Sequence, residues 1–593
     1  MCGFFGLIAA TGEHAGLAED RVRAVSDVLA HRGPDGEGVE RFDDGVLIHR
    51  RLAVLDPTPA GRQPFRRGGG WLVYNGELYN DRELRTDLAD AFETECDTET
   101  VAAALQRWGT KALARFRGMF ALAWWDREKR TLTLARDPLG IKPLYWSRAG
   151  DAIAFASEPT ALFASGVVEP KPDPVGVASY LVTIRTTLGR RTMFKGVEQV
   201  EPGEVLEFDL SKPGSEPRRS SWWDRAGSEN DGDLRTIVED SIRAHLRSDV
   251  PLCSLLSGGL DSTIVASVAA RTDADLRTYC SGAPDAADGL ADDFGFAEHA
   301  SAALGTAHRA VPVDRDRFTR DWAWMVDRLG VPLSTPNEVA IHAVARALRD
   351  EGHVVTLSGE GADELFAGYE LPMTLARQFF EQRPDATARD HGRFQLESTA
   401  WIGEGVRGQV LAGQMIDGIE AAAAWYGETF AKLPEPDLGE SSLERALHRH
   451  LRFQRRVNLA GLLHRLDTAT MLASVEGRTP LADRVIAAAS DAIPLGEKLR
   501  FDGDRVETKR CLRSAFAGTL PREIVERPKR SFPLPFQGWL AVHARVLVET
   551  PWLRTVFREP ALAEVASDTE RHWNLAWPMI NLGLLARRWG WDG

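Results

Sequence analysis

Residues 252–272 read LCSLLSGGLDSTIVASVAART, and the order of residue types within them decides the fold of the second half of the chain. Leu252 to Leu256 make an apolar run of strand length, Ser257 to Ser262 a glycine-rich turn, and the residues beyond it a helix. A strand that enters a helix through such a turn aims backbone N–H groups and the positive end of the helix dipole at one point, which favours a phosphate. Gly258 and Gly259 allow close approach of an anion, and Ser257 and Ser262 add hydroxyl donors. The Walker A pattern is absent, so the loop is of another kind.

Outward from this loop the pattern divides the chain. On the C-terminal side, amphipathic segments such as LRTIVEDSIRAHLRS and NEVAIHAVARALRDEG alternate with buried-strand runs such as VVTLS, which predicts an α/β domain over 234–593 with extra helices towards its end. On the N-terminal side, residues 2–208 carry short runs rich in β-branched and aromatic residues between turns, which predicts a sheet-rich domain. The polar stretch 209–233 between them, dense in Pro, Gly, Ser and charge, reads as a linker that Trp222 and Trp223 pin to a domain surface. A chain of 593 residues exceeds one core, which agrees with two large domains.

Composition excludes several function classes. A net charge of −14 disfavours nucleic acid and anionic membranes as partners. No apolar run is long enough to span a bilayer, and the first residues lack the charged segment of a secretion signal, so a cytoplasmic location is expected. The five cysteines, Cys2, Cys96, Cys253, Cys280 and Cys511, are odd in number and scattered, which predicts neither a disulfide framework nor a zinc cluster.

One of those cysteines stands directly behind the initiator. Removal of Met1 would leave Cys2 with a free α-amine, whose reference pKa near ~8 lets it accept the thiol proton without a separate histidine. His31 to Gly36 (HRGPDG), Arg51-Leu52, Tyr74 to Glu77 (YNGE), Asp97 and Arg136 to Gly140 (RDPLG) then follow in an order that resembles the class II glutamine amidotransferases. The resemblance implies an α+β Ntn-hydrolase sandwich, with antiparallel sheets between helices. It also implies Cys2 as nucleophile, and the Asn75 amide with the Gly76 N–H as donors to the oxyanion that attack on a carboxamide creates. Arg51 and Asp97 would hold the α-carboxylate and α-ammonium of glutamine, with Glu77 assisting. Taken singly, Asn75-Gly76 also suits a hairpin turn and HRGPDG a Gly-Pro turn.

The second half supports a family that joins both activities. SGGLDS resembles the loop of the N-type ATP pyrophosphatases, and LSGEGADELFAGY, residues 357–369, is similar to a segment of the glutamine-hydrolysing asparagine synthetase B-like family. The resemblance implies a parallel sheet of the ATP pyrophosphatase type. It implies ATP bound by Leu255, Ser257, Gly258, Gly259, Asp261, Ser262, Ser281, Ser358 and Gly359, and Mg2+ on Asp261 and Asp363. Glu360 would face the amidation centre, and Lys529 would neutralise charge on the α-phosphate and acyl adenylate. Residues 462–483, LLHRLDTATMLASVEGRTPLAD, follow the family's pattern but depart from it at His464 and Thr468.

The family implies glutamine, ATP and a small carboxylate acceptor as partners, aspartate by default, and a tunnel for ammonia. Family members are often dimers, which leaves a homodimer open. Other family acceptors are sugar acids, peptides or natural-product carboxylates, and Asn337, Glu338 and the segment from Gln378 to Leu433 are where that choice is expected. A β-lactam synthetase-like cyclase is disfavoured by Cys2 and Glu360. A silent homologue is disfavoured by Cys2, Asp261, Asp363 and Lys529.

Overall fold

The structure is a computed structural model and describes residues 2–11, 16–223, 232–283, 293–435, 438–503, 505–528 and 534–592. The strand Cys2–Ala9 is buried at every position, so its apolar run is continuous rather than alternating. It lies between Gly45–Arg51 and Ala152–Ala156 in an eight-stranded antiparallel sheet. A six-stranded antiparallel sheet contains Gly70–Leu78, paired with Gly118–Asp126. Phe4, Leu47 and Phe155 of the first sheet meet Val73, Ala121 and Trp125 of the second in one buried cluster. Each Val, Leu or Phe among them contributes about 1.5–3 kcal/mol by leaving water. The helix Asp97–Trp108 covers the outer face of the second sheet through Val101 and Leu105. This is the expected sandwich. Asn75-Gly76 lies inside a strand, so the hairpin-turn alternative does not apply.

The C-terminal half is built on a five-stranded parallel sheet. Its order is Ala307–Pro312, Arg277–Gly282, Leu252–Leu255, Val355–Leu357, Glu476–Arg478. Chain order runs outward from the central strand to one side and then returns to the other. The crevice beyond the carboxyl end of Leu252–Leu255 is therefore a topological switch point, the usual ligand position in such sheets. The helix Leu260–Thr272 starts from that crevice.

The polar stretch after residue 209 is more than a connection. Arg218–Ser221 pairs antiparallel with Glu204–Asp209 as an edge strand, held by cross-strand ion pairs from Arg218 to Glu207 and from Arg219 to Glu204. Trp222 stacks on Phe120 and donates its indole N–H to the Arg136 carbonyl at 3.1 Å, while Arg455 lies over the Trp223 ring. The pair thus fastens this stretch to both halves. Residues 224–231 of the expected linker lie outside the described residues. All five cysteines are free thiols, and among the described residues no helix is long and apolar enough to cross a membrane.

Candidate active sites

The first centre is made by strand register. Cys2 stands opposite Arg51 across the first sheet, and the Cys2 backbone N–H donates to Asn75 Oδ1 of the second sheet at 2.9 Å. That bond turns the other end of the amide outward: Asn75 Nδ2 is buried without a hydrogen-bond partner. A buried orphan donor costs about 1–3 kcal/mol, which leaves Asn75 Nδ2 able to donate to an incoming acceptor. Gly76 lies against the Met119 carbonyl, which a Cβ would meet at 2.3 Å. Burial pushes the Cys2 thiol above its ordinary value, and Arg51 pulls it back.

The groups expected to recognise glutamine surround this point. Arg51 is fixed by three carbonyls, donating to Thr58 at 2.6 Å, Leu55 at 3.0 Å and Asp56 at 2.5 Å. Asp97 accepts from the Leu78 N–H at 2.8 Å and the Tyr74 hydroxyl at 3.1 Å, and burial pushes its carboxyl up to about 6. Glu77 has one oxygen 3.5 Å from Arg478 and the other, Oε1, buried without a hydrogen-bond partner. Burial holds the Glu77 carboxyl well above the usual carboxylate range against the pull of Arg478.

The HRGPDG motif has a part that sequence reasoning did not assign. Arg32, fully buried, donates from Nε to the Cys2 carbonyl at 3.1 Å, from Nη1 to Glu158 at 2.9 Å and from Nη2 to Asp467 at 2.8 Å. Lys142 reaches the same Asp467 at 3.1 Å. Burial alone would raise the Asp467 carboxyl; Arg32 and Lys142 outweigh it and hold it below the ordinary value. One arginine therefore braces the strand Cys2–Ala9 against the C-terminal half. Beside it, Met119, Leu139 and Ile141 share an apolar cluster with Leu463, Leu481 and Ala482.

The second centre is a cleft of about 420 Å³ at the carboxyl ends of the three central parallel strands. Leu255, Ser257, Gly259, Asp261, Ser262, Ser281, Ser358, Gly359, Glu360 and Asp363 all line it. Gly258 turns away at φ +68°, where a Cβ would meet the Phe296 carbonyl at 2.4 Å, so its place demands glycine without facing the cleft. Lys529 lies outside the described residues, although Arg527 and Pro528 just before it line the cleft.

Asp261 and Asp363 each place an oxygen 2.5 Å from Lys509 Nζ, so both carboxylates face one point of positive charge. Asp261 Oδ1 is buried and makes no hydrogen bond. Two hard oxygens converging in this way fit a divalent cation shared with phosphate. Among the described residues no group of three or more His, Cys, Asp or Glu gathers as a metal site, so phosphate and water would complete the shell. The place of Lys509 between the carboxylates is not legible in the sequence, because its neighbours in space are about 150 and 250 residues away in the chain.

Residues 1–223 match the family described as glutamine amidotransferase domain, and residues 233–589 the family described as asparagine synthase. The chain belongs to the asparagine synthase family. Similar proteins include glutamine-hydrolyzing asparagine synthetase 1 of Bacillus subtilis, 29% identical over 94% of this chain and 90% of that one. Asparagine synthetase B of Escherichia coli is 30% identical over 62% and 65%. Amidase chry2 of Gibberella zeae is 30% identical over 58% of this chain and 54% of its own. The first centre lies within the segment matched by the glutamine amidotransferase domain, 1–223, and the second within that matched by asparagine synthase, 233–589.

Proposed function

We propose that this chain makes a carboxamide from an ATP-activated carboxylate and the amide nitrogen of glutamine. In the first centre the Cys2 thiolate, its proton passed to the freed α-amine, attacks the glutamine carboxamide; ammonia leaves with that proton, and water then releases glutamate from the thioester. Asn75 Nδ2 and the Gly76 N–H receive the oxyanion, Arg51 the α-carboxylate, and Asp97 with Glu77 the α-ammonium. The orphan Asn75 amide beside Cys2 is the observation that carries this reading.

In the second centre a carboxylate oxygen of the acceptor attacks the α-phosphorus of ATP, and pyrophosphate leaves. Ammonia then attacks the acyl carbon and AMP leaves, giving the amide. The 257–262 turn and Ser358-Gly359 hold the phosphates, Asp261 and Asp363 would hold Mg2+, and Lys529, by the family resemblance, would neutralise charge on the α-phosphate. Bound Mg2+ supplies charge neutralisation on the phosphates. Lys509 bridges the two carboxylates and neutralises them within the chain. Asparagine is the product in the relatives' names, so aspartate is the reference acceptor.

The test is acceptor-dependent formation of AMP and pyrophosphate by the purified chain with ATP, Mg2+ and glutamine. Equal amounts of AMP, pyrophosphate, glutamate and amide are expected. ADP and orthophosphate in their place would overturn the reading.

A further inference from the structure

A second cavity of about 230 Å³ lies between the two halves, and Leu462 and Arg465 line both it and the ATP cleft. Arg465 joins the two spaces chemically as well. It donates to Glu360 at 2.9 Å and to Thr335 at 3.2 Å, while its Nε is buried without a hydrogen-bond partner. The second cavity thus adjoins the ATP cleft across Leu462 and Arg465, next to Glu360.

Four arginines stand on the wall of this room, and Arg185 is the one whose guanidinium has neither an acidic partner nor a backbone carbonyl among its hydrogen bonds. Arg465 is paired with Glu360, and Arg456 lies 3.6 Å from Glu201. Arg136 spends its donors on the carbonyls of Lys142, Gly140 and Val200 and on Gln199. Arg185 has neutral partners alone: Asn458 Oδ1 at 3.0 Å, the Tyr426 hydroxyl at 3.2 Å and the Thr399 hydroxyl at 3.5 Å. A half-buried guanidinium whose partners are two ordinary bonds and one long bond to neutral side chains has given up water without gaining a carboxylate, which suits a site prepared for an anion.

The surroundings of Arg185 agree. Asn458 sits in a π-helical turn, Arg455–Leu459, a distortion that often marks functional positions. Gly461 follows within the helix Ala460–Met471, where glycine costs about 1 kcal/mol relative to alanine. Its missing side chain leaves the space in front of Arg185, whose Cδ lies 3.9 Å from where a Cβ would stand. The indoles of Trp401 and Trp425 complete the apolar wall. The remaining acid on the wall, Glu338, is occupied by Ser334 and Thr335.

We infer that the acceptor is a carboxylic acid longer than aspartate that carries a second anionic group. Its reacting carboxylate lies at Glu360 and Arg465, its apolar or planar body rests against Trp401 and Trp425, and its far anionic end pairs with Arg185. This rests on the adenylation reading above and adds the substrate class to it.

The test compares aspartate, cinnamate and 4-carboxycinnamate as acceptors for AMP and pyrophosphate formation in the wild type and in Arg185→Leu, Arg185→Lys and Gly461→Leu. A charge-assisted contact predicts that 4-carboxycinnamate exceeds both other acids in kcat/KM by about tenfold or more. Arg185→Leu should erase its advantage over cinnamate within the same protein sample, Arg185→Lys should restore part of it, and Gly461→Leu should remove use of both cinnamates. The ratio within one sample separates lost recognition from lost folding. AMP formation with aspartate alone, at a kcat/KM unchanged in Arg185→Leu, would overturn the inference and leave the adenylation reading standing. No AMP with any of the three acids would overturn both.

Discussion

The two centres hold their polar groups in opposite ways. In the first, Cys2, Asn75, Glu77 and Asp97 are all buried, and two of their polar atoms, Asn75 Nδ2 and Glu77 Oε1, stand without hydrogen-bond partners. In the second, the carboxylates of Asp261 and Asp363 are neutralised by Lys509 within the chain, although Asp261 Oδ1 also lacks a hydrogen bond, and the cleft is lined by loop ends and helix starts. The difference follows from what each must do. On the proposed reading, a site for one small substrate is set once by strand register, whereas a site for ATP, a cation and an acceptor would need charges it can rearrange. The first is thus a rigid constellation and the second an exchangeable one, and mutations should separate them.

The largest separation is expected from Cys2→Ala. Loss of the nucleophile should lower glutamine-dependent amide formation on the order of 10³-fold or more, while ammonium salts still support it in the second centre. Parallel assays with glutamine and with ammonium chloride check this, and equal losses with both nitrogen sources would erase the distinction between the centres. Asn75→Ala comes next, with a fall of about 10²–10³-fold in glutaminase kcat and little change in ammonia-dependent turnover. A loss confined to KM for glutamine would show that Asn75 binds the substrate without serving the oxyanion.

Much of the first centre was legible in the sequence because its residues sit on strands. The apolar run behind Cys2, the Asn75 strand and the Arg51 strand each announce their own element, and register brings them together. The turn at 257–262 and the segment 357–369 were legible for a similar reason: each carries its ligand groups within one local motif. What escaped are contacts between distant segments. Arg32 finds Asp467 across 435 positions, Lys509 finds Asp261 across 248, and Arg185 gathers Thr399, Tyr426 and Asn458 from the helical insert and beyond. Arg218–Ser221 was misjudged as connection because its polarity suits an exposed edge strand as well as it suits a linker.

That hidden brace offers a further way to sharpen the comparison. Asp467→Asn leaves Arg32 and Lys142 buried without their shared charge, which should cost about 3–5 kcal/mol of stability. Chemical denaturation checks it, and a stability within about 0.5 kcal/mol of wild type would remove Asp467 as the brace.

The smallest effect is on pH. Asp97 has its carboxyl raised to about 6 by burial, so it loses its charge as pH falls through that value. Below that pH, kcat/KM for glutamine should fall about tenfold per unit, whereas ammonia-dependent turnover, corrected for free ammonia, should not show this inflection. An inflection shared by both nitrogen sources would assign it to the second centre.

The central claim is that nitrogen from glutamine at the first centre ends on an acyl adenylate formed at the second. Amide-15N glutamine, ATP, Mg2+ and the acceptor acids are incubated with the chain, and the amide product is analysed by mass spectrometry beside AMP and pyrophosphate. Labelled amide formed in equal amounts with AMP and pyrophosphate is the predicted result. Amide without label, or labelled amide formed with ADP and orthophosphate, would contradict it.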